Sequence, residues 1–326
     1  MSGRLRNSYL DLLRVIGTIA VVVGHLSDSN VPRALIYSWH VPIFFVLSGY
    51  LAARRSVRDE VARRLSSLAR PYVAWVLLIY LAYVAVSVMA RGGLSWVQAI
   101  DPWIGGRWAS APFSAIWFVS ALFVATVATR LIDSTGWGWP GRFGLGLALC
   151  VGLAVGPHQL SRLPLAVGQG LACVVFVQAG ALASEYLTPL SIGTRALLSS
   201  AAVAGAAVLF ATKAAVPLDL KSLDFGTPVL SAAAATALCV GLVIMPLRIT
   251  GGVGRMISAL AQTSLAVIFL HSLVLWSWPG VSPPWRLLAL ALIAPWVVGF
   301  VLSATPLAAT FGCATRPRPR ARPARA

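Results

Sequence analysis

The chain alternates long apolar blocks with short stretches of Pro, Gly, Asp and Arg, and the blocks fall at about ten places: 9–28, 36–53, 71–90, 114–132, 143–157, 164–183, 195–212, 227–246, 257–278 and 285–304. Their lengths approach the ~20 residues that carry a helix across a hydrocarbon core, so the pattern predicts an all-α, polytopic membrane protein with about ten transmembrane helices. The first block has a basic flank like a signal peptide. It lacks a small-residue cleavage site and holds Arg14 inside it, which makes it an uncleaved first helix. The run RRLSSLARP reads as a short amphipathic surface helix stopped by Pro71. A membrane domain over 1–312 is expected to be followed by a basic, Pro-broken cytoplasmic tail over 313–326, read as disordered.

Composition strengthens the membrane reading: hydrophobic residues make up 58%, charged residues 11%, and the mean hydropathy is +0.82. A net charge of +17 would suit nucleic acid, but the arginines lie beside apolar blocks, where topology signals and anionic-lipid contacts belong. Membrane lipid is therefore an expected partner and nucleic acid is not. With the N-terminus cytoplasmic, the inner side receives Arg4, Arg6, Arg54, Arg55, Arg58, Arg63, Arg64, Arg70, Arg130, Arg142, Arg195, Arg248, Arg255 and the tail arginines. The outer side receives only Arg33, Arg91, Arg107, Arg162, Lys213, Lys221 and Arg286, which predicts both termini cytoplasmic. Cys150, Cys173, Cys239 and Cys313 are scattered without disulfide or metal spacing.

Against this background Arg14 and His25 stand out. Eleven steps of ~100° bring both to one face of the first helix, about 16 Å apart along its axis. A guanidinium and an imidazole in a spanning helix turn toward a protein interior and mark a functional site. His25, His40, His158 and His271 all fall in the outer half or outer loops, and three of them, on helices one, two and nine, are expected at one depth.

These residues sit in recognisable surroundings. YLDLLRVIGTIAVVVGH resembles the first helix of membrane-bound acyltransferase family three, and WHVPIFFVLSGYL its second helix, especially in the fucose 4-O-acetylase-like branch. ARRLSSLARPYVAW resembles the basic loop entering helix three, IWFVSALFV a fourth-helix motif and SLAVIFLHSLVLW the late motif. The resemblance to these O-antigen acetylase-like proteins implies a transferase moving an acyl group, usually acetyl, from cytoplasmic acyl-CoA to a hydroxyl of a glycan, glycolipid or secreted metabolite, with no permanently bound cofactor. It also implies a bacterial plasma membrane, and a required histidine and basic partner at His25 and Arg14. Two features depart from the family: no fused hydrolase-like domain is present, and Phe269 and Leu270 precede His271 where a tyrosine is usual.

The chemistry assigns roles. An alcohol attacks a thioester poorly, so His25 is expected as general base in a direct transfer, with His25 as nucleophile the covalent alternative. Arg14 either pairs with Asp11, one turn away, or binds CoA phosphates with some of Arg54, Arg55, Arg63, Arg64 and Arg70, whose other reading is a positive-inside anchor. Ser48 and Gly49 read as small packing residues or as tunnel lining. His40 and His271 are candidates for orienting His25 or the acceptor, or for satisfying a backbone carbonyl.

On the outer loop 91–113, Trp96, Asp101, Trp103, Arg107 and Trp108 suit a sugar, with Trp117, Trp276, Trp278 and Trp285 at the same level; an aromatic belt is the competing reading. No metal is expected, because the histidines lack ligand spacing, and GGVGR at 251–255 reads as a flexible turn. A transporter or flippase of a polar substrate is the alternative class, and a noncatalytic scaffold the third.

Overall fold

The computed structural model describes residues 8–26, 35–156, 158–227 and 229–313, and these residues are helical throughout their apolar blocks. Arg4, Arg6, Arg33 and the tail arginines lie outside the described residues, as do the side chains of Arg91 and His158.

Helix α1, Ser8–Leu26, opens with Asp11 in its first turn, where a carboxylate suits the positive end of the helix dipole. After the turn that carries His40, α2 runs over Pro42–Tyr50. Helix α3, Val57–Arg64, starts at Ser56, whose hydroxyl accepts the Asp59 amide at 3.1 Å. Helix α4, Arg70–Arg91, follows after the π-helical turn Leu65–Ala69. The expected stop at Pro71 is thus corrected: the chain stays helical from Val57 to Ala90. Pro71 sits in the first turn of α4, where its missing N–H costs least, and the wider π turn before it leaves room for the ring.

Beyond α4 come α5, Trp96–Ile104, then α6, Ile116–Asp133, and α7, Trp139–Val155. Helices α8, Val167–Ala172, and α9, Val174–Leu182, meet at Cys173; the longer segments they belong to, Pro164–Ala172 and Val174–Leu187, bend by 46° there. Helices α10, Ile192–Ala211, α11, Leu230–Ile244, α12, Gly251–Ser277, and α13, Pro284–Ser303, complete the bundle.

Among the described residues, six helical segments are long and apolar enough to cross a membrane, seven when the bent pair counts as one span. The three shorter apolar segments are Leu35–Tyr50, Trp139–Val155 and Leu230–Ile244. Many large apolar side chains on the outer faces stay exposed, including Leu81, Val88, Ile192, Leu197, Ile293 and Val301, as lipid-facing residues of a multi-pass membrane protein are.

Glycine sets the closest approach in the bundle. A Cβ on Gly49 of α2 would stand 1.8 Å from the Val177 carbonyl of α9, and one on Gly180 of α9 would stand 2.0 Å from the Val46 carbonyl of α2. The two backbones touch because each lacks a side chain at the crossing. Helix α1 packs against α12, whose Ser258 hydroxyl donates to Asp11 Oδ2 at 2.7 Å, and α12 packs on α13.

The polar contacts between loops fall into two groups. In one, Arg54 meets Glu185, Arg130 binds the Ala53 carbonyl and Asp133, Arg142 shares Asp133, and Arg195 binds the Ile244 carbonyl. In the other, Arg107 donates to Ser161, Trp108 to the Arg162 carbonyl, and Lys221 to carbonyls of Ala109 and Ser114. None of these contacts joins a basic residue expected inside to one expected outside.

Candidate functional site

Between α1, α2, α6 and the loop joining α10 to α11 lies a cavity of about 140 Å³, lined among others by His25, His40, Tyr37, Trp117, Asp219 and Lys221. His25 is in the last turn of α1, where its side chain lines the cavity. His40 reaches the same cavity from the turn before α2, with Tyr37 against it at a ring separation of 4.9 Å. His271, on α12, lies behind His25, their ring centroids 5.2 Å apart and their planes tilted by 42°.

Two of these rings are fixed in one tautomer. His40 Nδ1 is 2.8 Å from the Ile36 carbonyl and His271 Nδ1 is 2.8 Å from the Val267 carbonyl. A carbonyl only accepts, so each Nδ1 carries the proton and each Nε2 presents a lone pair. The His271 ring is fully buried, and its Nε2 has no hydrogen-bond partner. The backbone carbonyl considered for His271 is therefore present, while the ring still leaves a bare nitrogen on its far side.

The cavity wall also contains residues that sequence reasoning treated only as loop. Residues 212–227 fold inward as a small hairpin closed by the Asp219 and Asp224 backbones, at 2.8 and 3.0 Å. Its alternating Leu218 and Leu220, then Leu223 and Phe225, are buried and pin it to the bundle. That alternation inside a supposed outer loop was the available signal. The hairpin presents Lys221, whose Nζ donates to the Ala109 carbonyl at 2.7 Å and the Ser114 carbonyl at 3.2 Å. Gln169, fully buried on α8, holds the hairpin by donating to the Lys221 carbonyl at 2.9 Å and the Ser161 carbonyl at 2.8 Å. Lys221 lies outside the spanning helices. Burial lowers its pKa to about 8, opposed by the Asp219 carboxylate and reinforced by Arg107.

The remaining sequence candidates divide by place. Trp117 is buried in the cavity wall. Asp101 and Trp103 are not among its lining residues; Trp103 is exposed and leans on Tyr80 at a ring separation of 5.6 Å. Arg107 is exposed and, with Trp108 and Arg162, lines a second, shallow pocket where the Arg162 guanidinium stands 5.8 Å from the Trp108 ring centre. Phe269, at the position where a tyrosine was the expectation, stacks on Trp75 at 5.9 Å and is a packing residue.

Arg14 shares α1 with His25 and bonds Asp11 at 3.1 Å, leaving 37% of its side chain exposed. Asp11 is buried, with Ser258 as its second partner. The basic cluster is largely engaged with carboxylates. Glu60, itself buried, is held by Arg64 at 2.6 Å and approached by Arg55 at 3.7 Å and Arg63 at 3.8 Å. Arg64 also donates to Ser48 at 3.0 Å, Arg54 pairs with Glu185 at 2.8 Å, and Arg70 donates to the Ala309 carbonyl at 2.6 Å. Among the described residues no cluster of three or more His, Cys, Asp or Glu has metal-binding proximity, and all four cysteines are buried free thiols.

Chemically, the cavity offers a solvent-reachable imidazole beside two rings with fixed lone pairs, and one buried ammonium. Comparison with known proteins adds one finding: a family model described as an acyltransferase domain matches residues 7–313. Neither the curated proteins nor the solved structures gave a match.

Proposed function

Because the chain belongs to acyltransferase family 3 and its helices make it a multi-pass membrane protein, we propose that it moves an acyl group, acetyl first, from cytoplasmic acyl-CoA to an acceptor hydroxyl on the opposite side. The observation that carries this reading is His25, exposed in the one cavity that also receives His40, with His271 against its ring.

In the proposed reaction His25 takes the acceptor hydroxyl proton through a ring nitrogen as the oxygen attacks the thioester carbonyl carbon. The C–O bond forms, the C–S bond of the tetrahedral intermediate breaks, and the CoA thiolate recovers the proton from the imidazolium. His271 and His40 orient His25 and the acceptor. Arg14, on the same helix about 16 Å away, binds the donor phosphates with basic residues drawn from Arg54, Arg55, Arg63, Arg64 and Arg70. The acceptor enters past Trp117, with Asp101, Trp103 and Arg107 along its approach. The acceptor is a glycan, glycolipid or secreted metabolite. Ten spans, both termini cytoplasmic and a bacterial plasma membrane belong to the same reading. The domain limits 1–312 and 313–326 belong to it as well.

Labelled acetyl-CoA mixed with purified protein and candidate glycans tests the proposal. Transfer is expected, and His25→Gln should reduce it by roughly 10²–10⁴-fold. Full transfer by that variant would overturn the general-base role, and acyl label trapped on His25 would replace direct attack by a covalent route. Transport is the second reading, favoured by the 46° break between α8 and α9. Passage of unmodified substrate without transfer would establish it.

A further inference from the structure

We propose that the acceptor carries an anionic group, a carboxylate or a phosphate, and that Lys221 recognises it in the cavity beside His25. The inference rests on the acyl-transfer reading for the word acceptor; the anion site itself rests on geometry.

The Lys221 ammonium donates to two neutral carbonyls, Ala109 and Ser114, and it has no ion pair among the described residues. Asp219, two residues away on the same hairpin, points its oxygens elsewhere. Its Oδ2 accepts the Ser222 hydroxyl at 3.0 Å and its Oδ1 the Ser222 amide at 3.4 Å. Two carbonyl dipoles hold the ammonium in place and occupy two of its three N–H donors; the third is left for a ligand in the cavity, and an anion there would cancel the charge that Asp219, not in contact with it, only partly offsets.

Of the other groups facing the cavity, His25 and His40 are bases, Tyr37, Trp117, Phe44 and Phe118 are aromatic walls, and Asp219 is a carboxylate whose oxygens are engaged by Ser222 and make no ion pair with Lys221. The approach is positive as well. Arg107 and Arg162 flank the shallow pocket with Trp108. Arg107 is tied to Lys221 through Ser161 and Gln169, since Arg107 donates a hydrogen bond to the Ser161 hydroxyl and the Gln169 amide spans the Ser161 and Lys221 carbonyls. Two guanidiniums outside and an ammonium within form a potential that draws an anion inward and aligns it. A hydroxyl-bearing anion such as a uronic acid or a hydroxy acid would place its charge on Lys221 and its hydroxyl at His25.

Burial, the Asp219 carboxylate on its own hairpin and Arg107 set the Lys221 charge, and His25 and His40 face the same cavity. Its ammonium is present at neutral pH and is lost as the pH rises through about 8.

The test is equilibrium binding to the detergent-purified full chain, comparing methyl glucuronoside with methyl glucoside, and lactate with glycerol. The wild type should favour the charged member of each pair by roughly tenfold, the scale of one charge-assisted hydrogen bond. Lys221→Met should lose that preference. Lys221→Arg should keep it at neutral and at high pH, because a guanidinium does not deprotonate there, whereas the wild type should lose it above about 8. Equal or absent binding of all four probes by the wild type overturns the proposal, as does a preference kept by Lys221→Met. Should that variant not fold, the pH comparison between wild type and Lys221→Arg decides: loss in both at high pH overturns it. Acyl transfer to the same probes is read separately, so failure of transfer with the preference intact falls on the acyltransferase reading alone.

Discussion

At the scale of single residues, the ion pair seen for Arg14 and the donor binding proposed for it are separated by one pair of variants. Its bond to Asp11 compensates a buried carboxylate, yet more than a third of the side chain remains open to a ligand. Asp11→Asn removes the charge partner and leaves the guanidinium; Arg14→Ala removes the guanidinium. With donor binding as the role of Arg14, its alanine variant should raise the acetyl-CoA KM by roughly tenfold or more, and Asp11→Asn should change it far less. Equal effects of the two, seen alongside equal losses in thermal stability, would leave only the ion pair. His25 and Arg14 were legible because polar groups in an apolar helix need a reason. Lys221 was not, because a lysine in a loop looks like solvated surface until the loop is seen to fold inward.

At the scale of elements, the α2–α9 crossing depends on Gly49 and Gly180, whose added methyls would meet backbone carbonyls rather than movable side chains. Gly180→Val should push the helices apart and lower stability by about 1–3 kcal/mol, measured as a drop in Tm in detergent. An unchanged Tm would mean that the pair of helices is not held at this distance. Beside Gly49, Ser48 accepts from Arg64 of α3, so the small residues of FFVLSGYL serve packing and a polar contact together. Pro71 shows the opposite limit of sequence reasoning. Proline predicts a boundary, but a π turn keeps the helix going, and only the backbone geometry of its neighbours reveals that choice.

At the scale of the whole molecule, the sidedness expected from charge asymmetry is open to chemical labelling. Because Cys150, Cys173, Cys239 and Cys313 are buried, an introduced surface thiol can be labelled selectively. Ser110→Cys, in the exposed loop near Trp108, should react with a membrane-impermeant maleimide on intact cells. Ser134→Cys, exposed beside Asp133, should react only after permeabilisation. The reverse pattern would invert the orientation and place the histidine cavity on the donor's side.

What the sequence determined by itself is whatever depends on local composition: the apolar blocks that become helices, the charge bias of the connecting loops, and the pairing of Arg14 with His25 on one helix, since helical spacing is fixed by the backbone. What only the tertiary structure decided is which distant residues share a space. His271 meets His25 across the α1–α12 contact, and His40 reaches the same cavity from a turn. Lys221 arrives on a hairpin pinned by four buried apolar side chains and a buried glutamine. Such meetings depend on how helices cross and loops fold back, which packing of the whole bundle sets and no local pattern encodes.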